Sequence, residues 1–294
     1  MNQSSTLLTY SSEVNNLAKK ALVQLIEQAT GRSKLERIYA YALEAIKRGD
    51  SIWSAALHGL QVTLDYDVNK VKSIPTSGPL IFVANHPYGV LDGLAICYLA
   101  SQARHNFRIF ISKALCREER IAPYVLPIDF DGGEQAIQTN LTSMRKAVET
   151  LQEEGAIIIF PGGGISTALT PFGPVGDLEW KLSAAKLIHQ TKATVIPIFF
   201  HGQNSHLFHL VSFFSLSLRL SLIMHELNKM MSQTLRISIG DPIPYEQLAA
   251  HKSRKALTDH LRKMIYTLGD TPDPGPASLE WKENWERNLD RMKY

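Results

Sequence analysis

The sequence predicts an α/β fold, with a mixed, mostly parallel sheet flanked by helices and an N-terminal helical region in front of it. Three observations carry that prediction. Short β-branched runs alternate with helical stretches from about Leu60 onward. Those runs are near-continuously apolar, as strands covered on both faces are. The chain has 294 residues, 45% of them hydrophobic and 20% charged, which is enough to bury a sizeable core.

Each element follows from local pattern. Between Val14 and Ala56 the apolar positions, among them Leu17, Leu22, Leu25 and Ile26, recur at helical spacing. "ATGRS" interrupts this region, because Gly31 can end one helix and Ser33 can cap the next. A second helix is predicted from Lys34 to Arg48, amphipathic and suited to packing on the body or to touching a membrane. Residues 1–58 thus form the helical region and residues 59–269 the α/β domain. Residues 270–294, rich in proline and glycine and then acidic on balance, are read as a loosely attached tail. Within the domain the strand candidates are "QVTLDYD", "PLIFVANH", "FRIFISK", "AIIIFPGGG", "TVIPIFFHG" and "LRISIGDPI". Helices are predicted over Asp92 to Gln102, Glu134 to Glu154 and Asp177 to Gln190. "IGDPIPYEQL" reads as a strand, a proline-fixed exit and a new helix.

Bulk properties exclude several functions. A formal charge of +3 is too weak to argue for nucleic acid, although a mildly basic body suits an anionic membrane surface or phosphate-bearing substrates. Cys97 and Cys116 lack metal-type spacing and read as reduced thiols of a cytosolic protein. The N-terminus lacks the basic start and apolar middle of a signal peptide. The longest apolar stretch, Leu207 to Met224, is broken by His209, Arg219 and serines, so it reads as an interfacial or buried helix and not a span.

Chemistry concentrates after two strands. In "VANHPYGVLDGL" a strand runs into a Pro/Gly turn bracketed by His86 and Asp92, at the strand end where α/β proteins usually bind ligands. Singly, Asp92 is an ordinary helix N-cap and His86 an ordinary turn histidine. Together they can form an oriented base, with the carboxylate on one ring nitrogen and the other facing a hydroxyl. "AIIIFPGGGIST" empties a second strand into Gly162, Gly163 and Gly164, whose amides can hold a phosphate or an oxyanion. The adjacent glycines match neither a dinucleotide fingerprint nor a Walker A loop. "VLPIDFDGGEQ" adds Asp129 and Asp131, with no further ligand at metal spacing. "HGQNSHLFH" holds His201, His206 and His209 in a spacing that suits no common zinc motif, so no metal site is expected.

In order, "NHPYGVLDG", "LPIDFDGGEQA", "FPGGGIST", "VIPIFFHG" and "IGDPIPYEQL" resemble the blocks of the glycerolipid (lysophospholipid) acyltransferase superfamily, from about Leu60 to Leu248. Five residues separate His86 from Asp92 where that superfamily usually has four, a variant resembling the putative hemolysin and ornithine-lipid-type branch. The resemblance implies that residues 59–269 are an acyltransferase domain. It implies transfer of a fatty acyl group from acyl-CoA or acyl-carrier protein to the hydroxyl of a lyso-lipid, with no other cofactor. His86 would be the general base and Asp92 its orienter. Substrate contacts would come from Asn85, Gly89, Asp129, the glycines at 162–164, Ser166 and Thr167. It further implies peripheral attachment to the cytoplasmic side of a membrane, through the N-terminal helices and the Leu207 to Met224 segment. Gly162 stands where the superfamily has glutamate and Ile165 where it has arginine, which points away from lysophosphatidic acid as acceptor. Two other readings use the same residues: a thioester or ester hydrolase activating water with the same pair, and a lipid-binding member of the fold without catalysis.

Overall fold

A computed structural model describes residues 32–116, 118–168, 173–212 and 216–276. The expected helix around Leu17 to Ile26 and the chain beyond 276 lie outside the described residues. Within them, a helical lead of α1 (Arg32–Lys47) and α2 (Ile52–Gly59) precedes the sheet, and two short helices, α3 (Val68–Lys72) and α9 (Tyr245–Leu248), follow its first and last strands. The Ser51 hydroxyl caps α2 by accepting the Ser54 amide at 3.1 Å.

The sheet has seven strands: β1 (Thr63–Asp65), β2 (Leu80–Ala84), β3 (Phe107–Ser112), β4 (Val125–Ile128), β5 (Ala156–Ile159), β8 (Thr194–Phe200) and β9 (Thr234–Ile239). Their order is β1-β9-β8-β2-β5-β3-β4. Every neighbouring pair is parallel except β8 with β9. A separate two-stranded hairpin, β6 (Thr167–Ala168) with β7 (Val175–Gly176), stands beside the glycine loop. The strand β4, "VLPI", was not among the predicted strands. It is the sheet's outer strand, where Pro127 is tolerated because one side needs no donor.

Strand β2 shows why the runs are apolar throughout. Leu80, Phe82 and Ala84 point into one layer, with α2, α4 (Val90–Ala103) and α8 (Leu216–Lys229). Ile81 and Val83 point into the other, with α5 (Gly133–Gln152), α6 (Ser183–Thr191) and α10 (Arg254–Leu268). All five β2 residues are buried, as a central strand between two helical layers must be.

Three helix boundaries differ from expectation, each for a local reason. Helix α4 starts at Val90, two residues before Asp92, which therefore lies inside the first turn and not at the cap. Helix α6 starts at Ser183, since Asp177 and Trp180 are drawn into side-chain hydrogen bonds instead. The stretch read as one helix from Leu207 is two, α7 (His206–Ser212) and α8.

Two buried arginines fasten the loops. Arg104, at the end of α4, donates to the carbonyls of Pro75, Ser77, Gly78 and Glu154 at 2.6–2.9 Å. Arg262 on α10 holds both carboxylate oxygens of Asp273 at 2.8 Å and the Gly275 carbonyl at 2.9 Å. The start of the expected loose tail is thus fastened to the body. Pro274 also packs against Gly176, where a Cβ would collide with it.

Candidate active site

Strands β2, β3, β4, β5 and β8 share one direction, so the loops after them leave one edge of the sheet. His86 follows β2 on that edge, and the segment Phe160–Thr167 follows β5. Between β2 and α4 the chain turns through Gly89, whose φ of +78° suits glycine. A Cβ at Gly89 would stand 2.6 Å from the Ile165 side chain, so the turn and the glycine loop are in contact.

This turn places Asp92 under His86. Asp92 is fully buried, and its Oδ2 accepts the backbone amides of Tyr88 at 2.7 Å and Gly89 at 2.9 Å. The same oxygen lies 3.2 Å from His86 Nδ1, an ion-pair distance without the alignment of a full hydrogen bond. Burial pushes the Asp92 carboxyl above its ordinary value, while His86 and the two amides pull it back. The His86 ring stacks on Phe160 with centroids 3.9 Å apart, and its side chain keeps 18% of its exposure. With Nδ1 facing Asp92, Nε2 is the ring nitrogen turned away from the carboxylate.

A second carboxylate, unforeseen in the sequence, fixes the His86 backbone. Asp177 is buried; its Oδ1 accepts the His86 amide at 3.1 Å and the Ser166 hydroxyl at 2.5 Å. Its Oδ2 accepts the Trp180 indole at 2.9 Å. The Ser166 amide in turn donates to the His86 carbonyl at 2.8 Å. The His86 amide is therefore held by Asp177, just after β7, and its carbonyl by the loop after β5. Asp177 stood at the start of a predicted helix, where an acid is ordinary, and nothing in the sequence set it apart.

The family model described as "Acyltransferase" matches residues 50–275 of this chain. That span runs from the start of α2 to the Arg262-fastened segment and contains every residue of the site just described. The chain belongs to this acyltransferase family. Two relatives are similar over most of this acyltransferase. A lyso-glycine lipid O-acyltransferase of Phocaeicola vulgatus is 27% identical over 210 residues, 69% of this chain and 72% of the relative. A protein of the same name from Bacteroides thetaiotaomicron is 28% identical over 212 residues, 69% of this chain and 74% of the relative. Among solved structures, the 1-acyl-sn-glycerophosphate acyltransferase PlsC of Thermotoga maritima aligns with a TM-score of 0.47 at 14% identity, covering 87% of this chain and 99% of that one.

Several residues expected to touch substrate serve the acyltransferase internally. Asn85 is 4% exposed and its amide is bonded at both ends to the Phe200 peptide, at 2.7 and 2.9 Å, tying β2 to β8. The Ser166 hydroxyl is taken up by Asp177, and Thr167 is fully buried in β6. Asp129 accepts Lys113 at 3.1 Å and the Asp131 amide at 3.0 Å, which together hold its carboxyl below its ordinary value. Its backbone is bonded both ways to the Asn140 side chain. Of the glycines, Gly163 has φ +68° and donates its amide to the Phe160 carbonyl, closing a tight turn. Gly162 and Gly164 remain in front of Asp177 and Leu178, where a Cβ would meet neighbours at 3.3 and 3.1 Å. Neither cysteine stands at this edge in nucleophile form: burial pushes the Cys116 thiol up to about 11 and Cys97 well above its ordinary value.

Proposed function

We propose that this acyltransferase moves a fatty acyl group from a thioester donor, acyl-CoA or acyl-carrier protein, to the hydroxyl of a lyso-lipid, with His86 as general base. The observation that carries the reading is the His86–Asp92 contact at the edge where β2 ends, with Asp92 fully buried and the ring partly exposed. The names of the two relatives support a lyso-lipid acceptor whose headgroup carries no phosphate. The Gly162 and Ile165 replacements in the glycine loop point the same way.

In the proposed reaction the acceptor oxygen attacks the thioester carbonyl as its proton passes to His86 Nε2. Asp92 stabilises the imidazolium that results. The carbonyl oxygen becomes an oxyanion, and in this reading the Gly162 and Gly164 amides stabilise it, since the Gly163 amide is taken by the Phe160 carbonyl. Collapse breaks the C–S bond, and the proton returns from His86 to the departing thiolate, giving the acyl ester and a free thiol. No covalent acyl-enzyme is required.

The test is a thiol-release assay with long-chain acyl-CoA and a panel of lyso-lipids, with acylated product measured in parallel. His86→Ala lowers transfer about 10²–10⁴-fold, the usual worth of a positioned base. Transfer that survives His86→Ala would sink the mechanism. Thiol release without acylated acceptor would assign a hydrolase, and neither activity in wild type would assign a lipid-binding role.

A further inference from the structure

In the sheet β2 lies between β8 and β5, so the His86 turn leaves it between the loops that follow those two strands. Both loops touch the turn. In the loop after β5, Ile165 packs against Gly89 and the Ser166 amide donates to the His86 carbonyl. In the loop after β8, the Gln203 backbone meets the Tyr88 hydroxyl, which also lies against Gly202. These loops are the two sides of the mouth in which His86 stands, so their placement fixes the turn from both flanks.

One helix holds both sides. Arg219 and Glu226 of α8 are seven residues apart, two turns, and so share a face. Each is only 4% exposed. Arg219 Nη2 donates to the Ile165 carbonyl at 2.7 Å. Glu226 Oε2 accepts the Ser205 amide at 2.8 Å, and its Oε1 accepts the Ser205 hydroxyl at 2.6 Å. His209 of α7 feels both charges: burial and then Arg219 push it down to about 4, while the Asn204 backbone and Glu226 pull against them. Burying a guanidinium and a carboxylate costs more than packing apolar residues of similar size in the same place. What the two charges provide instead is a fixed geometry, because each grips loop backbone through charge-assisted hydrogen bonds.

We propose that α8 is a strap across the mouth, in which Arg219 and Glu226 are positioning residues: Arg219 fixes the loop after β5, Glu226 the loop after β8, and the two loops together hold the His86 turn. Ile165 brings no charge of its own to the glycine loop; the guanidinium reaches its carbonyl from α8. The effect on catalysis rests on the acyltransfer reading, whereas the fastening of the loops does not.

The experiment combines amide hydrogen exchange of the full chain with steady-state acyl transfer, comparing wild type, Arg219→Met, Arg219→Lys and Glu226→Leu. Thermal unfolding checks that each variant is folded; Arg219→Gln and Glu226→Gln replace the Met and Leu variants if not. Arg219→Met is expected to speed exchange about 10-fold or more at 161–168 and 86–92, and to leave 202–206 as in wild type. Glu226→Leu should do so at 202–206 and 86–92, leaving 161–168 unchanged. In both, kcat falls about 10-fold or more while KM changes less than about two-fold, the pattern of a group acting behind the catalytic one. Arg219→Lys, which keeps a charged donor, recovers part of kcat. Exchange that rises evenly over the whole chain overturns the proposal, because the two charges would then be props of the fold at large. Exchange unchanged at 86–92 overturns it too, as does a loss confined to KM or to melting temperature. If exchange changes as expected but wild type acylates no lyso-lipid, the acyltransfer reading fails while the strap stands.

Discussion

Asp92 bears two loads at once: it lies 3.2 Å from His86 Nδ1, and it is a carboxyl buried without direct solvent. Its folded pKa is raised from the ordinary 3.8 by burial. A group raised on folding contributes stability that is complete below the unfolded value and is lost as pH rises through the folded one. Asp92→Asn keeps an oxygen for the Tyr88 and Gly89 amides without that charge. The variant is therefore expected to match wild type in stability below pH 3.8 and to gain on it as pH rises, measured by urea unfolding across pH. Its kcat should fall about 10²-fold or more, because a neutral amide cannot stabilise the imidazolium. A parallel loss of stability at neutral pH would show that Asp92 is chiefly structural. Asp177 acts differently, through the backbone. Asp177→Asn should lower kcat about 10-fold with little change in KM, the usual scale for an orienting group behind a catalytic one. Unchanged kcat with lowered melting temperature would reduce Asp177 to a strut.

Among the elements, the turn between β2 and α4 is the most demanding. Gly89→Ala meets two obstacles, a φ of +78° and the Ile165 side chain 2.6 Å from the new Cβ. Destabilisation of about 2–3 kcal/mol is expected. Adding Ile165→Ala should return part of it, since the steric overlap goes and the backbone strain stays; full recovery would show that φ is no constraint. The parallel strands and both helical layers were legible in the sequence because continuous apolar runs separated by helices have few alternative packings. The contact between His86 and Asp92 was legible because the two bracket a Pro/Gly turn. What the sequence did not show were contacts that reach far along the chain. Asp177 meets His86 from 91 residues away, and Asn85 bonds to Phe200 across 115. Ser166 and Thr167 looked like headgroup ligands because a hydroxyl beside glycines resembles a binding loop, and sequence does not show which hydroxyls face inward. Strand β4 was passed over because its apolar run is only four residues long and leads straight into the turn at 129–133.

At the scale of the whole molecule, the sheet joins two apolar layers into one body. Cys97 lies in the layer around α4, and Leu151 in the layer around α5. Both are buried to within 1% of full. If the layers open together, Leu151→Ala, expected to cost about 2–5 kcal/mol, should speed labelling of Cys97 by a thiol reagent about 30-fold or more. Cys116, half-exposed on the loop after β3, serves as a control that should change little. An unchanged Cys97 rate would mean that the layers open separately. The two ends of the sheet are also unlike. At the end away from His86, Arg104 binds four carbonyls and draws the chain before β2 and before β5 into one rigid knot, with Thr76 exposed on top of it. A five-residue strand sets that knot about 17 Å from the mouth. The knot is therefore a handle: a fluorophore carried on Thr76→Cys would stay fixed to the sheet, stay clear of the mouth, and report the tumbling of the whole body.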